Sequence, residues 1–160
     1  MHATKTLPTR RGLLVAAGRL AGGAALASIL KVDGAGATPA EMQSAIRQVV
    51  GESQVNPGKV MLDLPPLVEN GNAVPLSVTI ESPMTAADHV KAIHIFNEKN
   101  PQPNVASFHL GPRAGRAAVS TRIRLSDSQK VVAIAELSDG SFWSGSADLI
   151  VTIAACTEEL

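Results

Sequence analysis

The stretch Leu76-Ser77-Val78-Thr79-Ile80 alternates apolar and polar side chains one for one, and its reading decides the fold. In an extended strand successive side chains point to opposite faces, so Leu76, Val78 and Ile80 are buried while Ser77 and Thr79 meet water. The pattern recurs downstream, where Val119, Thr121, Ile123 and Leu125 alternate with Ser120, Arg122 and Arg124. Working outward from these two half-buried strands, five more are expected over residues 60–64, 89–97, 104–110, 129–137 and 146–155. Turn-forming clusters separate them: Pro65-Pro66, Glu69-Asn70-Gly71-Asn72, Asn100-Pro101-Gln102-Pro103, Gly111-Pro112, Ser126-Asp127-Ser128 and Ser138-Asp139-Gly140-Ser141. Seven short strands at this spacing, with no cysteine pair and almost no helix, give an all-β chain. The expected fold is an immunoglobulin-like β-sandwich lacking the inter-sheet disulfide.

Upstream of the strands the period changes to that of a helix. Thr38-Pro39-Ala40-Glu41 carries a helix-start signature: a hydroxyl at the cap, proline at the first helical position and a carboxylate placed to reach back. Met42, Ile46, Val49 and Val50 follow at helical spacing, so a short amphipathic helix is expected over residues 39–50, stopped by Gly51. Such a helix either reaches a partner or packs on its own domain. Residues 52–58 read as a linker.

The first 37 residues read as an address. Arg10 and Arg11 precede an apolar run from Leu13 to Leu30, and Ala35-Gly36-Ala37 supplies the small residues that a signal peptidase reads. The arginine pair favours a twin-arginine signal and hence a periplasmic destination, with cleavage after Ala37 or, alternatively, after Ala27. The run is rich in Ala and Gly and interrupted by Arg19, so it is a poor candidate for a stable membrane span. The expected organisation is a leader over 1–37, helix and linker over 38–58, a sandwich over 59–155 and a tail over 156–160.

Five of the 14 Lys and Arg, but one of the 14 Asp and Glu, lie in the leader; the remainder therefore carries a net charge of about −4. That sign argues against nucleic acid as a partner, because neutralising phosphates needs a basic patch. Aromatics are few, namely Phe96, Phe108, Phe142 and Trp143, so the core rests on Val, Ile, Leu and Ala.

Cys156 is the only cysteine. In an exported chain an unpaired cysteine points to an intermolecular disulfide or a reactive thiol, against the plainer role of a small buried apolar side chain. Alternation along Leu149, Val151, Ile153 and Ala155 puts Cys156 on the opposite face, where the strand stops. Glu158 and Glu159 disfavour the thiolate, and no cationic side chain lies near in sequence, so a self-activated nucleophile is not expected. A thiol loaded by another enzyme fits better.

Other chemistry has less support. His89, His94 and His109 remain after the leader, but an immunoglobulin-like iron centre of the superoxide reductase kind uses four histidines and a cysteine; no metal site is expected. Ser144-Gly145-Ser146 lacks a nucleophile-elbow pattern. Arg122 and Arg124 belong to a solvated strand face or a partner rim, and Trp143 to an interface or to the capping of the sandwich.

Four stretches together resemble the SoxY family, the sulfur-carrier subunit of the periplasmic thiosulfate-oxidising system. They are Asp88-His89-Val90-Lys91-Ala92-Ile93-His94-Ile95-Phe96, Asn100-Pro101 through Val105-Ala106-Ser107-Phe108-His109-Leu110, Ser120-Thr121-Arg122-Ile123-Arg124-Leu125, and Ser138-Asp139-Gly140-Ser141-Phe142-Trp143. The resemblance implies a carrier and not an enzyme, with Cys156 as the covalent attachment point for sulfur intermediates. It also implies a heterodimer with a SoxZ-like subunit, separate loading, hydrolysing and oxidising enzymes, and no cofactor of its own. Where the family's arm is typically Gly-Gly-Cys-Gly-Gly, this chain has Ala154-Ala155-Cys156-Thr157-Glu158-Glu159-Leu160. That departure leaves a second reading, a SoxY-like binding module of another periplasmic oxidation pathway without the standard cargo.

Overall fold

A computed structural model describes residues 38–153. The helix α1 (Pro39–Val50) forms where its signature predicts. The Thr38 hydroxyl accepts from the Glu41 backbone N–H at 3.3 Å, and the Glu41 carboxylate accepts from the Thr38 N–H at 2.6 Å. Two otherwise unsatisfied donors of the first turn are thereby used. At the other end the Gly51 N–H donates to the Arg47 carbonyl at 2.9 Å, with Gly51 at φ 61°, a conformation that favours glycine.

Nine strands follow: β1 (Val55–Pro57), β2 (Val60–Asp63), β3 (Leu67–Asn70), β4 (Val74–Ile80), β5 (Val90–Asn97), β6 (Asn104–His109), β7 (Ala118–Ile123), β8 (Gln129–Leu137) and β9 (Phe142–Ile153). The larger sheet runs β1-β9-β8-β5-β6, with β3 also pairing β9, and the smaller runs β2-β4-β7. Antiparallel pairing holds within these sheets except that β1 and β3 both lie parallel to β9. This is the immunoglobulin-like sandwich, with β9-β8-β5 corresponding to the G, F and C strands and β2-β4-β7 to A, B and E.

All seven expected strands are present, and two more correct the count. β1 lies in the segment read as a linker, and β3 overlaps one read as a turn. Each has four residues or fewer and takes its register from the distant β9, so neither carries a local alternation for the sequence to display. β9 also starts at Phe142, four residues before the expected 146. Its expected continuation to residue 155 lies outside the described residues.

The alternating positions form the core. Val74, Leu76, Val78 and Ile80 of β4 face Ile93 and Ile95 of β5, with Val131, Ala133 and Ala135 of β8 and Leu149 and Val151 of β9 completing the layer between the sheets. The opposite face of the larger sheet carries a second cluster, in which Met42, Ile46 and Val50 of α1 pack on Phe96, Val132, Ile134 and Phe142. The helix is therefore a third layer of its own domain. Both faces of β5 and β8 are buried, which explains why these strands read as near-continuous apolar runs.

Candidate functional site

The sequence directs attention to the far end of β9, from which the chain proceeds to Cys156. Leu149 and Val151 are buried in the sandwich, whereas Ile150, pointing the other way, is 58% exposed and Ile153 is 63% exposed. Hydrogen bonds hold the strand almost to its end. The Ile150 N–H donates to the Pro66 carbonyl at 2.9 Å, and the Val151 N–H donates to the Ser128 hydroxyl at 2.9 Å. The Thr152 hydroxyl lies 3.2 Å from the Glu69 carbonyl, to which it donates. The β3 strand thus braces β9 with Leu67 beside Ile150 and Asn70 beside Ile153. Ala154, Ala155, Cys156 and Thr157 lie outside the described residues; the structure places the point from which they depart.

The apolar residues at this end were not singled out from the sequence. Leu67 lies in a strand that the sequence does not announce. For Ile150 a signal exists: Leu149-Ile150-Val151 is apolar on both faces of the strand, a break in alternation that marks a second apolar surface.

The histidines gather elsewhere. Ile93 and Ile95 face the core, so His94 faces away from it, and its Nδ1 lies 2.8 Å from the Ser107 hydroxyl across the β5–β6 pair. His109 stands edge-on to it with ring centroids 6.3 Å apart. Burial holds the His94 pKa below the usual histidine range; His109 lowers it further and Glu136 partly opposes this. Glu136 also forms an ion pair with Lys91. Among the described residues no three His, Cys, Asp or Glu side chains are placed to hold a metal ion.

The remaining candidates have ordinary surroundings. Trp143 packs against the sandwich core, its indole N–H donates to the Ser141 hydroxyl at 3.1 Å, and the Lys59 ammonium sits 4.5 Å from the ring centroid. It caps the sandwich. Arg122 is exposed on the outer face of the smaller sheet beside the hydrogen-bonded pair Ser77 and Ser120, 2.9 Å apart. No described helix is long and apolar enough to cross a membrane.

A helix-covered immunoglobulin-like sandwich whose last strand leads to a lone cysteine defines the class. The family model for the sulfur oxidation protein SoxY matches residues 46–156, and the chain belongs to that family. Among solved structures it is similar to the sulfur carrier protein SoxY from Chlorobium limicola f thiosulfatophilum, with a TM-score of 0.61 and 27% identity over 71% of this chain and 98% of that one. It is also similar in fold to a superoxide reductase (neelaredoxin) from Ignicoccus hospitalis, with a TM-score of 0.52 and 17% identity over 72% of this chain and 94% of that one. A putative superoxide reductase from Thermotoga maritima matches with a TM-score of 0.50 and 20% identity, covering 61% of this chain and 87% of that one. These two likenesses concern the sandwich alone. No curated protein matches the sequence.

Proposed function

We propose that this protein is an exported sulfur carrier that holds thiosulfate-derived intermediates on Cys156 while partner enzymes load, hydrolyse and oxidise them. The observation that carries the reading is the extent of the family match, which runs through residue 156 and so includes the only cysteine of the chain. The likeness to a SoxY sulfur carrier over most of both chains supports it.

The chemistry asked of the carrier is small. Loading joins the Cys156 sulfur to a sulfur of thiosulfate; the thiol loses its proton, and two electrons pass to an acceptor held by the loading enzyme. The carrier supplies a thiol on a short segment beyond a braced strand, and the enzymes supply activation. Ala154 and Ala155 keep the approach to the thiol slim, while Thr157 follows it where the family's arm has glycine. A SoxZ-like subunit is the expected companion, and the twin-arginine leader delivers the folded chain to the periplasm.

The test replaces the gene in the native cells by one encoding Cys156→Ser. Thiosulfate oxidation is lost while the exported protein accumulates at the normal level. Undiminished oxidation through the variant contradicts the reading.

A further inference from the structure

We propose that His94 and His109 form a two-imidazole site for a late divalent transition metal, Cu2+ or Zn2+, on the outer face of the larger sheet. The inference is independent of the carrier reading and uses none of the residues assigned to it. The strand register brings the two rings together. Across the β5–β6 pair His94 lies opposite Ser107, and His109 lies opposite Ala92. Directly opposed residues share a face, as do residues two apart along a strand, so both imidazoles rise from one face as diagonal neighbours.

Their ring centroids are 6.3 Å apart, with the planes at 86°. A metal ion about 2.1 Å from one nitrogen of each ring holds the two centroids about 5–6.4 Å apart. The observed separation lies at the upper end of that range, and rotation of the exposed His109 side chain shortens it.

The nitrogens are suitably disposed. His94 Nδ1 is 2.8 Å from the Ser107 hydroxyl. With Nδ1–H donating to that oxygen the lone pair lies on Nε2, as in a metal-ligating histidine whose second nitrogen is fixed by an outer partner. Among the described residues neither the His94 Nε2 nor either ring nitrogen of His109 has a hydrogen-bond partner. His94 is only 8% exposed, so packing holds its ring and little freedom is lost on binding.

Among the described residues no third His, Cys, Asp or Glu completes a metal-binding group; Glu136, opposite Ala92, is engaged by Lys91. The chain therefore supplies two ligands and water the others. Two imidazoles fall short of the ligand set of an immunoglobulin-like iron centre, yet they chelate. Neutral nitrogen donors favour copper and zinc over magnesium and calcium, and copper over zinc. The unfilled positions make this an exchangeable site that the fold does not depend on.

The test titrates Cu2+ alone, and Zn2+ alone, into the full exported chain at about pH 7.5, where imidazole is neutral. A Cys156→Ser background prevents the thiol from binding the metal. One Cu2+ binds, with a paramagnetic resonance spectrum that shows coupling to two imidazole nitrogens, and Zn2+ occupies the same site more weakly. His94→Gln and His109→Gln each weaken binding about tenfold or more, and Ser107→Ala weakens it about tenfold through loss of the outer partner. His89→Gln binds like the parent. Because His109 is exposed, His109→Gln keeps the parent's urea midpoint and decides the question even if His94→Gln folds poorly.

Parental affinity in His109→Gln overturns the site, as does coupling to one nitrogen or none. Binding that survives removal of both histidines belongs elsewhere on the chain and overturns it too. None of these outcomes bears on Cys156, so the carrier reading is tested separately.

Discussion

The carbonyl oxygen of Val60 occupies the space beside Gly145 that a side chain would need: a Cβ added at Gly145 would lie 2.2 Å from it. Here β2 crosses close under β9, and the obstacle is backbone, which cannot turn aside as a flexible side chain can. Gly145→Ala therefore separates the two sheets locally. It destabilises the domain by about 1–3 kcal/mol, as overpacking does elsewhere. Urea denaturation with the slope held in common reads the loss, and a wild-type midpoint counts against this account of the contact.

The outer helix is integral to the domain. Met42 is 2% exposed and sits among Phe96, Ile134 and Phe142. Met42→Ala leaves a cavity between α1 and the sheet and costs about 2–5 kcal/mol. Thr38→Ala, which removes only the cap, costs about 1 kcal/mol. A Met42→Ala protein no less stable than Thr38→Ala contradicts the packing described.

Both the helix and the main sandwich were legible because their signals are local. The capping box over Thr38 to Glu41 needs four adjacent residues, and the alternation from Leu76 to Ile80 needs five. β1 and β3 were illegible because they borrow their register from a strand more than 80 residues away, as Val55 does from Phe142. Cys156 stood out by being alone, whereas Leu67 and Ile150 came together only through that same distant pairing.

His94 links stability to pH. Its pKa is lowered in the fold from 6.5, so between the folded and unfolded values the unfolded chain binds more protons. The contribution is fully present above pH 6.5 and is lost as pH falls through the depressed folded value. Chemical denaturation between about pH 7.5 and pH 5 shows a decline that His94→Gln flattens, the side-chain amide replacing the bond to Ser107. An equal slope in both proteins excludes His94 as its source.

Asn97 is fully buried at the end of β5, and among the described residues neither its amide nitrogen nor its oxygen has a hydrogen-bond partner. Burying such a group unpaired costs about 1–3 kcal/mol. Asn97→Leu removes that penalty in a side chain of similar length, so its thermal midpoint is at least that of wild type. A clear fall in midpoint shows instead that the amide is satisfied in solution.

The most direct measurement is the intact mass of the mature protein isolated from its native cells during growth on thiosulfate, before and after a thiol reductant. The carrier account predicts an added mass of sulfur, thiosulfonate or a related oxyanion that the reductant removes and that Cys156→Ser never shows. A bare thiol at Cys156 under those conditions, or the same adduct on the serine variant, contradicts it.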